Sequence, residues 1–164
     1  MNQPMADDLR IGHGYDIHRL QAGGKLMLAG VEVADGMSPV AHSDGDVVLH
    51  AVVDALLGAV GAGDIGEMFP NTDARWKNAA SEIFVKAAME HVKGLGFAVM
   101  NMDVTILAER PKLKAMKPRM VESLARLVGG AVNIKAGTNE ECDAIGRGEA
   151  IAAHVVVLLK RTKI

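Results

Sequence analysis

Asp16-Ile17-His18 sets a carboxylate and an imidazole two residues apart. On an extended strand residues i and i+2 share a face, so a metal ion can sit between the two tips while Ile17 points the other way, into the core. A surface hydrogen-bonding pair uses the same spacing, and only a third ligand separates the two readings. His50 is the candidate, with Asp46 and Asp54 at i−4 and i+4 as acceptors able to orient its ring. Taken alone, His50 reads as a core or interface histidine before it reads as a ligand.

Ala41-His42-Ser43-Asp44-Gly45-Asp46 precedes a long apolar run. It combines the free amides and dipole of a helix start with an imidazole and a hydroxyl, an arrangement suited to phosphate. An ordinary capping box uses the same residues, with Ser43 accepting from first-turn amides and Asp46 three positions on. Two loops leave predicted strands with amides free to face a ligand: Ala108-Glu109-Arg110-Pro111-Lys112-Leu113 and Lys135-Ala136-Gly137-Thr138-Asn139-Glu140. Neither carries a Walker or Rossmann glycine pattern, and a plain helix start and a plain turn fit them too. Gly146-Arg147-Gly148-Glu149 is likewise a binding loop or a turn. Cys142 has no basic neighbour in sequence and reads as inert; no Ser–His or Cys–His nucleophile stands out.

Alternation predicts a strand from Arg10 to about His18, with Ile11, His13, Tyr15 and Ile17 on one side and Gly12, Gly14, Asp16 and His18 on the other. Lys25–Ala29 and Val31–Ala34 form a hairpin about Gly30. The clearest helix is Val47–Val60, followed by a structured loop over 61–77. A second helix starts at Ser81 and ends at Gly94 and Gly96, Phe97–Ala108 returns to strand, and a third helix spans about Leu113 to Val128. Strands Ala131–Ala136 and Ala150–Leu159 complete an α+β order: one sheet with about three helices on one face and its other face covered by further subunits.

The 164 residues suit one domain over 10–164, with 1–9 as a disordered leader. At 49% apolar the chain builds its own core, and a net charge of −2 with 3% aromatics excludes a basic nucleic-acid groove, a stacking surface or a polybasic membrane anchor. The longest apolar run, Ala150–Leu159, is broken by His154 and is about half a membrane span. A single cysteine points to the cytoplasm.

Five blocks occur in order: Gly12-His13-Gly14-Tyr15-Asp16-Ile17-His18, Ala41 to Ala51, Gly63-Asp64-Ile65-Gly66 with Phe69-Pro70, Pro111-Lys112, and Gly146-Arg147-Gly148-Glu149. Together they closely resemble the 2-C-methyl-D-erythritol 2,4-cyclodiphosphate synthase family, over about Arg10 to Leu159. The resemblance implies a metal-dependent, cyclising lyase of non-mevalonate isoprenoid biosynthesis. Its substrate is 4-diphosphocytidyl-2-C-methyl-D-erythritol 2-phosphate; the 2-phosphate attacks the nearer phosphorus of the diphosphate bridge, releasing CMP. It implies a homotrimer with active sites between subunits, each holding Zn2+ and a second cation, Mg2+ or Mn2+.

By the same resemblance Asp16, His18 and His50 bind zinc, Glu140 binds the second cation, and His42 and Thr138 stabilise the transition state. Ser43 holds phosphate, and Asp64 accepts from methylerythritol hydroxyls beside Ile65, Gly66, Phe69, Asn71 and Asp73. Ala108, Pro111, Lys112 and Leu113 receive cytidine from the subunit adjacent to the zinc-bearing one, with Gly137 and Asn139 in the phosphate loop. Tyr15, Ala144, Arg147 and His154 surround the trimer axis, where an isoprenoid phosphate or another anion binds. The chain departs from the family pattern at Asn71 for Asp, Gly137 and Asn139 for Thr, Ala144 for Phe and His154 for Glu. A non-catalytic nucleotide- or isoprenoid-phosphate-binding trimer of the same fold is the alternative, and a zinc phosphoesterase a second.

Overall fold

The structure is a computed structural model that describes residues 8–70, 72–76 and 79–162. Five strands and five helices follow the chain: β1 Leu9–Leu28, β2 Val31–Pro39, α1 Val47–Val60, α2 Ile65–Met68, α3 Ser81–Gly94, β3 Phe97–Leu107, α4 Lys117–Val128, β4 Ala131–Gly137, α5 Asp143–Gly146 and β5 Ala150–Arg161. The strands form one sheet in the order β2-β1-β5-β3-β4. β3 and β4 run parallel, joined by the α4 crossover that parallel pairing demands, and every other pair is antiparallel.

The helices α1, α3 and α4 cover one face, as the strand and helix order predicts. α1 is apolar on nearly all sides because it is enclosed, lying across β1 and β5 with α3 beside it. Leu49, Leu56 and Leu57 are fully buried there, each contributing about 1.5–3 kcal/mol of burial. Val155, Val157 and Leu159 of β5 line the same core.

The inward face of β1 is the reverse of the expected one. Gly12 and Gly14 point at α1, where a Cβ on either would collide with the backbone carbonyl oxygens of Ala55 and Ala51. A helix backbone can approach this closely only over glycine, so alternation carries Asp16 and His18 to the helix side. Ile17 is therefore turned outward, 42% exposed, alongside Ile11 at 72% and Tyr15 at 44%. His13 and His154 share this outer face, with ring nitrogens 3.1 Å apart.

Other expectations move by a few residues. β1 continues past His18 to Leu28, its pairing with β2 shifted between Ala22 and Lys25 where Gly23 and Gly24 take positive φ. The loop over 61–77 contains the short α2 and a 3-10 turn at Ala74–Trp76. α4 starts at Lys117 rather than Leu113, with a proline in its first turn. The leader over 1–9 lies mostly outside the described residues, although Leu9 already pairs with Lys160.

Candidate metal centre and a second cleft

β1 and α1 bring three ligand atoms to one point. His18 Nε2 and His50 Nδ1 are each 3.0 Å from Asp16 Oδ2, and 3.2 Å from each other. Bonds of about 2.0–2.1 Å at tetrahedral angles would place ligand atoms roughly 3.3 Å apart, so this donor set of one carboxylate and two imidazoles fits zinc. Asp16, His18 and His50 are the group among the described residues able to hold a metal ion. Burial alone would raise the Asp16 carboxyl; hydrogen bonds and charge from His18 and His50 outweigh it and bring it down to about 2. The carboxylate is thus ionised and ready to bind a cation.

The expected orienters of His50 are occupied elsewhere. Asp46 is fully buried and accepts from the N–H groups of Ala29, Gly30, Val48 and Leu49 at 2.7–3.1 Å. It is the N-cap of α1, in place of Ser43, whose hydroxyl accepts from Gly45 N–H at 3.2 Å. Burial pushes the Asp46 carboxyl up to about 6 against the pull of those donors. Asp54 accepts from Ile65 N–H at 2.8 Å, anchoring α2. His50 Nε2 instead meets two hydroxyls, Ser43 at 3.1 Å and Ser81 at 3.0 Å. Sequence reading missed Ser81 as more than a helix start, because its partner lies 31 residues away.

The trio opens on a cavity of about 290 Å³ lined also by Val40, Ala41, His42, Ser43, Ile65, Gly66, Phe69, Trp76 and Phe84. Seven predicted site residues thus meet the metal trio's cavity or belong to it, besides Phe69. Trp76 and Phe84, whose rings lie 5.3 and 4.7 Å from that of Phe69 and 5.8 Å from each other, were not foreseen there. Asp64 lies beside the cavity as the N-cap of α2, accepting from Glu67 N–H at 2.9 Å. Asp73 is engaged by Arg75, and Asn71 lies outside the described residues.

Ala108, Pro111, Lys112, Leu113, Gly137 and Thr138 line a different cleft of about 360 Å³, together with Lys114, Lys117 and Ala136. Thr138 donates to Glu140 at 3.0 Å, and Asn139 N–H donates to Glu109 at 3.2 Å. Asp16 registers with Ala153, Ala153 with Ile106, and Ile106 with Ala136. Three inter-strand steps of about 4.8 Å put this cleft roughly 14 Å across the sheet from the metal trio. One chain therefore does not bring Thr138 and Glu140 to Asp16, His18 and His50. Arg147 is exposed and paired with Glu149 at 3.0 Å, and Ala144, within α5, packs against the small cluster of Ile145, Ala150 and Ala152.

Fold and site define a single-domain α+β protein with a three-ligand candidate metal centre at a strand–helix contact and a separate lysine-lined cleft. The YgbB family matches residues 9–160, and the chain belongs to this family. It is similar to the 2-C-methyl-D-erythritol 2,4-cyclodiphosphate synthase of Nitrosococcus oceani, 51% identical over 154 residues, covering 92% of this chain and 98% of that one. The chloroplastic synthase of Catharanthus roseus is 45% identical over 155 residues, 93% of this chain and 66% of the relative. A solved 2C-methyl-D-erythritol-2,4-cyclodiphosphate synthase in its CDP-bound form matches with a TM-score of 0.86 and 39% identity, over 92% of this chain and 100% of that one.

Proposed function

We propose that the chain is a cyclodiphosphate synthase converting 4-diphosphocytidyl-2-C-methyl-D-erythritol 2-phosphate to 2-C-methyl-D-erythritol 2,4-cyclodiphosphate and CMP. The observation that carries this reading is the convergence of Asp16, His18 and His50 within 3.2 Å, in a chain so similar to named synthases. Zinc bound there would neutralise phosphate charge and orient phosphate oxygens. An oxygen of the 2-phosphate forms a bond to the phosphorus attached to methylerythritol, and the bond from that phosphorus to CMP breaks with its electron pair on CMP. No protein nucleophile takes part, so catalysis lies in positioning and charge stabilisation.

Ser43, at the start of α1, holds a phosphate oxygen; His42 and Thr138 stabilise charge as it builds. Asp64, Ile65, Gly66, Phe69, Asn71 and Asp73 receive methylerythritol. Ala108, Pro111, Lys112 and Leu113 receive cytidine, with Gly137 and Asn139 beside them and Glu140 binding Mg2+ or Mn2+. The distance between the two half-sites within one chain supports a homotrimer in which the cleft of one subunit completes the metal site of the next. The exposed apolar side chains Ile11, Tyr15, Ile17 and Val156 support burial of the outer sheet face by those copies. Tyr15, Ala144, Arg147 and His154 then surround the threefold axis, where an anion such as an isoprenoid phosphate binds. The enzyme works in the cytoplasm, where its exposed Cys142 stays reduced. No helix among the described residues is long and apolar enough to cross a membrane.

Incubating the purified protein with the substrate, Zn2+ and Mg2+ should release CMP and form the cyclic diphosphate in equal amounts, read by 31P NMR. Inorganic phosphate as the product would support the phosphoesterase, and binding without turnover the non-catalytic trimer.

A further inference from the structure

His50 can bind a metal through Nδ1 only if the proton of its neutral ring is on Nε2, and a part-buried Nε2–H needs an acceptor. Two hydroxyl oxygens reach it, Ser81 at 3.0 Å and Ser43 at 3.1 Å, and they are held differently. Ser81 is fully buried at the first position of α3. Its N–H donates to Asp44 Oδ2 at 3.0 Å, and its hydroxyl donates to Asp44 Oδ1. With its one proton committed to a carboxylate, the Ser81 oxygen can only accept from His50. Ser43 is less buried, lines the open cavity and has a proton not tied to any acid.

We propose that Ser81, anchored by Asp44, is the positioning residue of the metal centre. It accepts the Nε2–H of His50, selects the tautomer whose Nδ1 lone pair faces Asp16 and His18, and leaves the Ser43 hydroxyl free to turn toward an anion in the cavity. The proposal rests on the metal reading of the trio and adds a role for two residues outside it. Asp44 ties the start of α1 to the start of α3, so the ring of His50 is oriented by two elements besides its own. Removing an outer hydrogen-bond partner of a metal-bound histidine costs on the order of 10–100-fold in affinity.

The test is zinc affinity of the full chain, by competition with a chromophoric chelator, alongside thermal melts of the zinc-free proteins. Ser81→Ala should bind zinc on the order of 10–100-fold more weakly, Ser81→Thr should recover most of that loss, and Ser43→Ala should stay close to wild type. His50→Ala serves as the reference for a lost ligand. Ser81→Ala at wild-type affinity, with His50→Ala impaired, would overturn the proposal while leaving the metal reading intact. Wild-type affinity in His50→Ala would instead overturn the metal reading beneath it. A purely structural Ser81 would lower the melting temperature without moving zinc affinity, which also counts against the proposal. Independently of any variant's folding, 1H–15N correlation spectra of the zinc-loaded wild type should place the His50 proton on Nε2; a proton on Nδ1 would refute it.

Discussion

His50 and Glu140 are both proposed ligands, but different cations should care about them. An imidazole and a carboxylate beside a second imidazole suit zinc, whereas Glu140, exposed on a loop with left-handed φ of 49°, offers only oxygen and suits a harder ion. His50→Ala should therefore leave less than about half an equivalent of zinc per chain, the four-coordinate site having lost a ligand. Glu140→Gln should keep zinc and shift the magnesium dependence of CMP release to higher concentration. Elemental analysis and a metal titration check the pair, and an unchanged magnesium curve would remove Glu140 from the assignment. The grouping of Asp16 with His18 was readable from the sequence because strand periodicity puts both on one face. The neighbours of His50 were not, since helical spacing nominated Asp46 and Asp54 while burial and the β1–β2 turn claim Asp46, and α2 claims Asp54. Ser81 becomes a neighbour of His50, and Asp44 a partner of Ser81, only when α3 docks.

Elements hold the centre together through one close approach and one buried carboxylate. Gly14→Ala drives a Cβ into the α1 backbone at Ala51, the residue next to His50 in α1, and overpacking of this kind costs roughly 1–3 kcal/mol. Chemical denaturation should show that loss, and zinc affinity should fall with it as α1 is lifted from β1. Asp46 makes the α1 start sensitive to pH. Its carboxyl titrates at about 6 in the fold against 3.8 as the ordinary value, so between those values the folded chain holds a proton the unfolded chain has released. Its stabilising contribution is complete below about pH 4 and is lost as pH rises through about 6, an amount on the order of 3 kcal/mol. The 13C shift of the Asp46 carboxyl should titrate with a midpoint near 6; a midpoint below 4 would show that its four N–H donors prevail over burial. Sequence periodicity placed α1 correctly and gave the hairpin turn, since long apolar runs and glycine turns are local signals. It misassigned the faces of β1 because Ile11, Tyr15 and Ile17 look like core residues, and only the glycine contact with α1 decides the matter.

At the scale of the whole molecule, the sheet separates two groups of candidate site residues. The metal trio stands on β1 and α1, the lysine-lined cleft on the far edge around β4, and the outer face between them exposes Val156 at 41% along with Ile11, Tyr15 and Ile17. If neighbouring subunits complete each other, a lesion in one half-site leaves the other half of the same chain competent. His50→Ala and Glu140→Ala homotrimers should each be nearly inactive. Dissociated, mixed in equal amounts and reassembled, they should regain activity, because some interfaces pair an intact trio from one chain with an intact Glu140 from the next. Random assembly with cyclic symmetry makes about a quarter of the interfaces intact on both sides. CMP release by the mixture should therefore approach about a quarter of the wild-type rate per site. A site built within a single chain cannot be repaired in this way, so a mixed assembly no more active than its parents, with subunit exchange verified by mass spectrometry, would place both half-sites in one subunit and refute the interface reading.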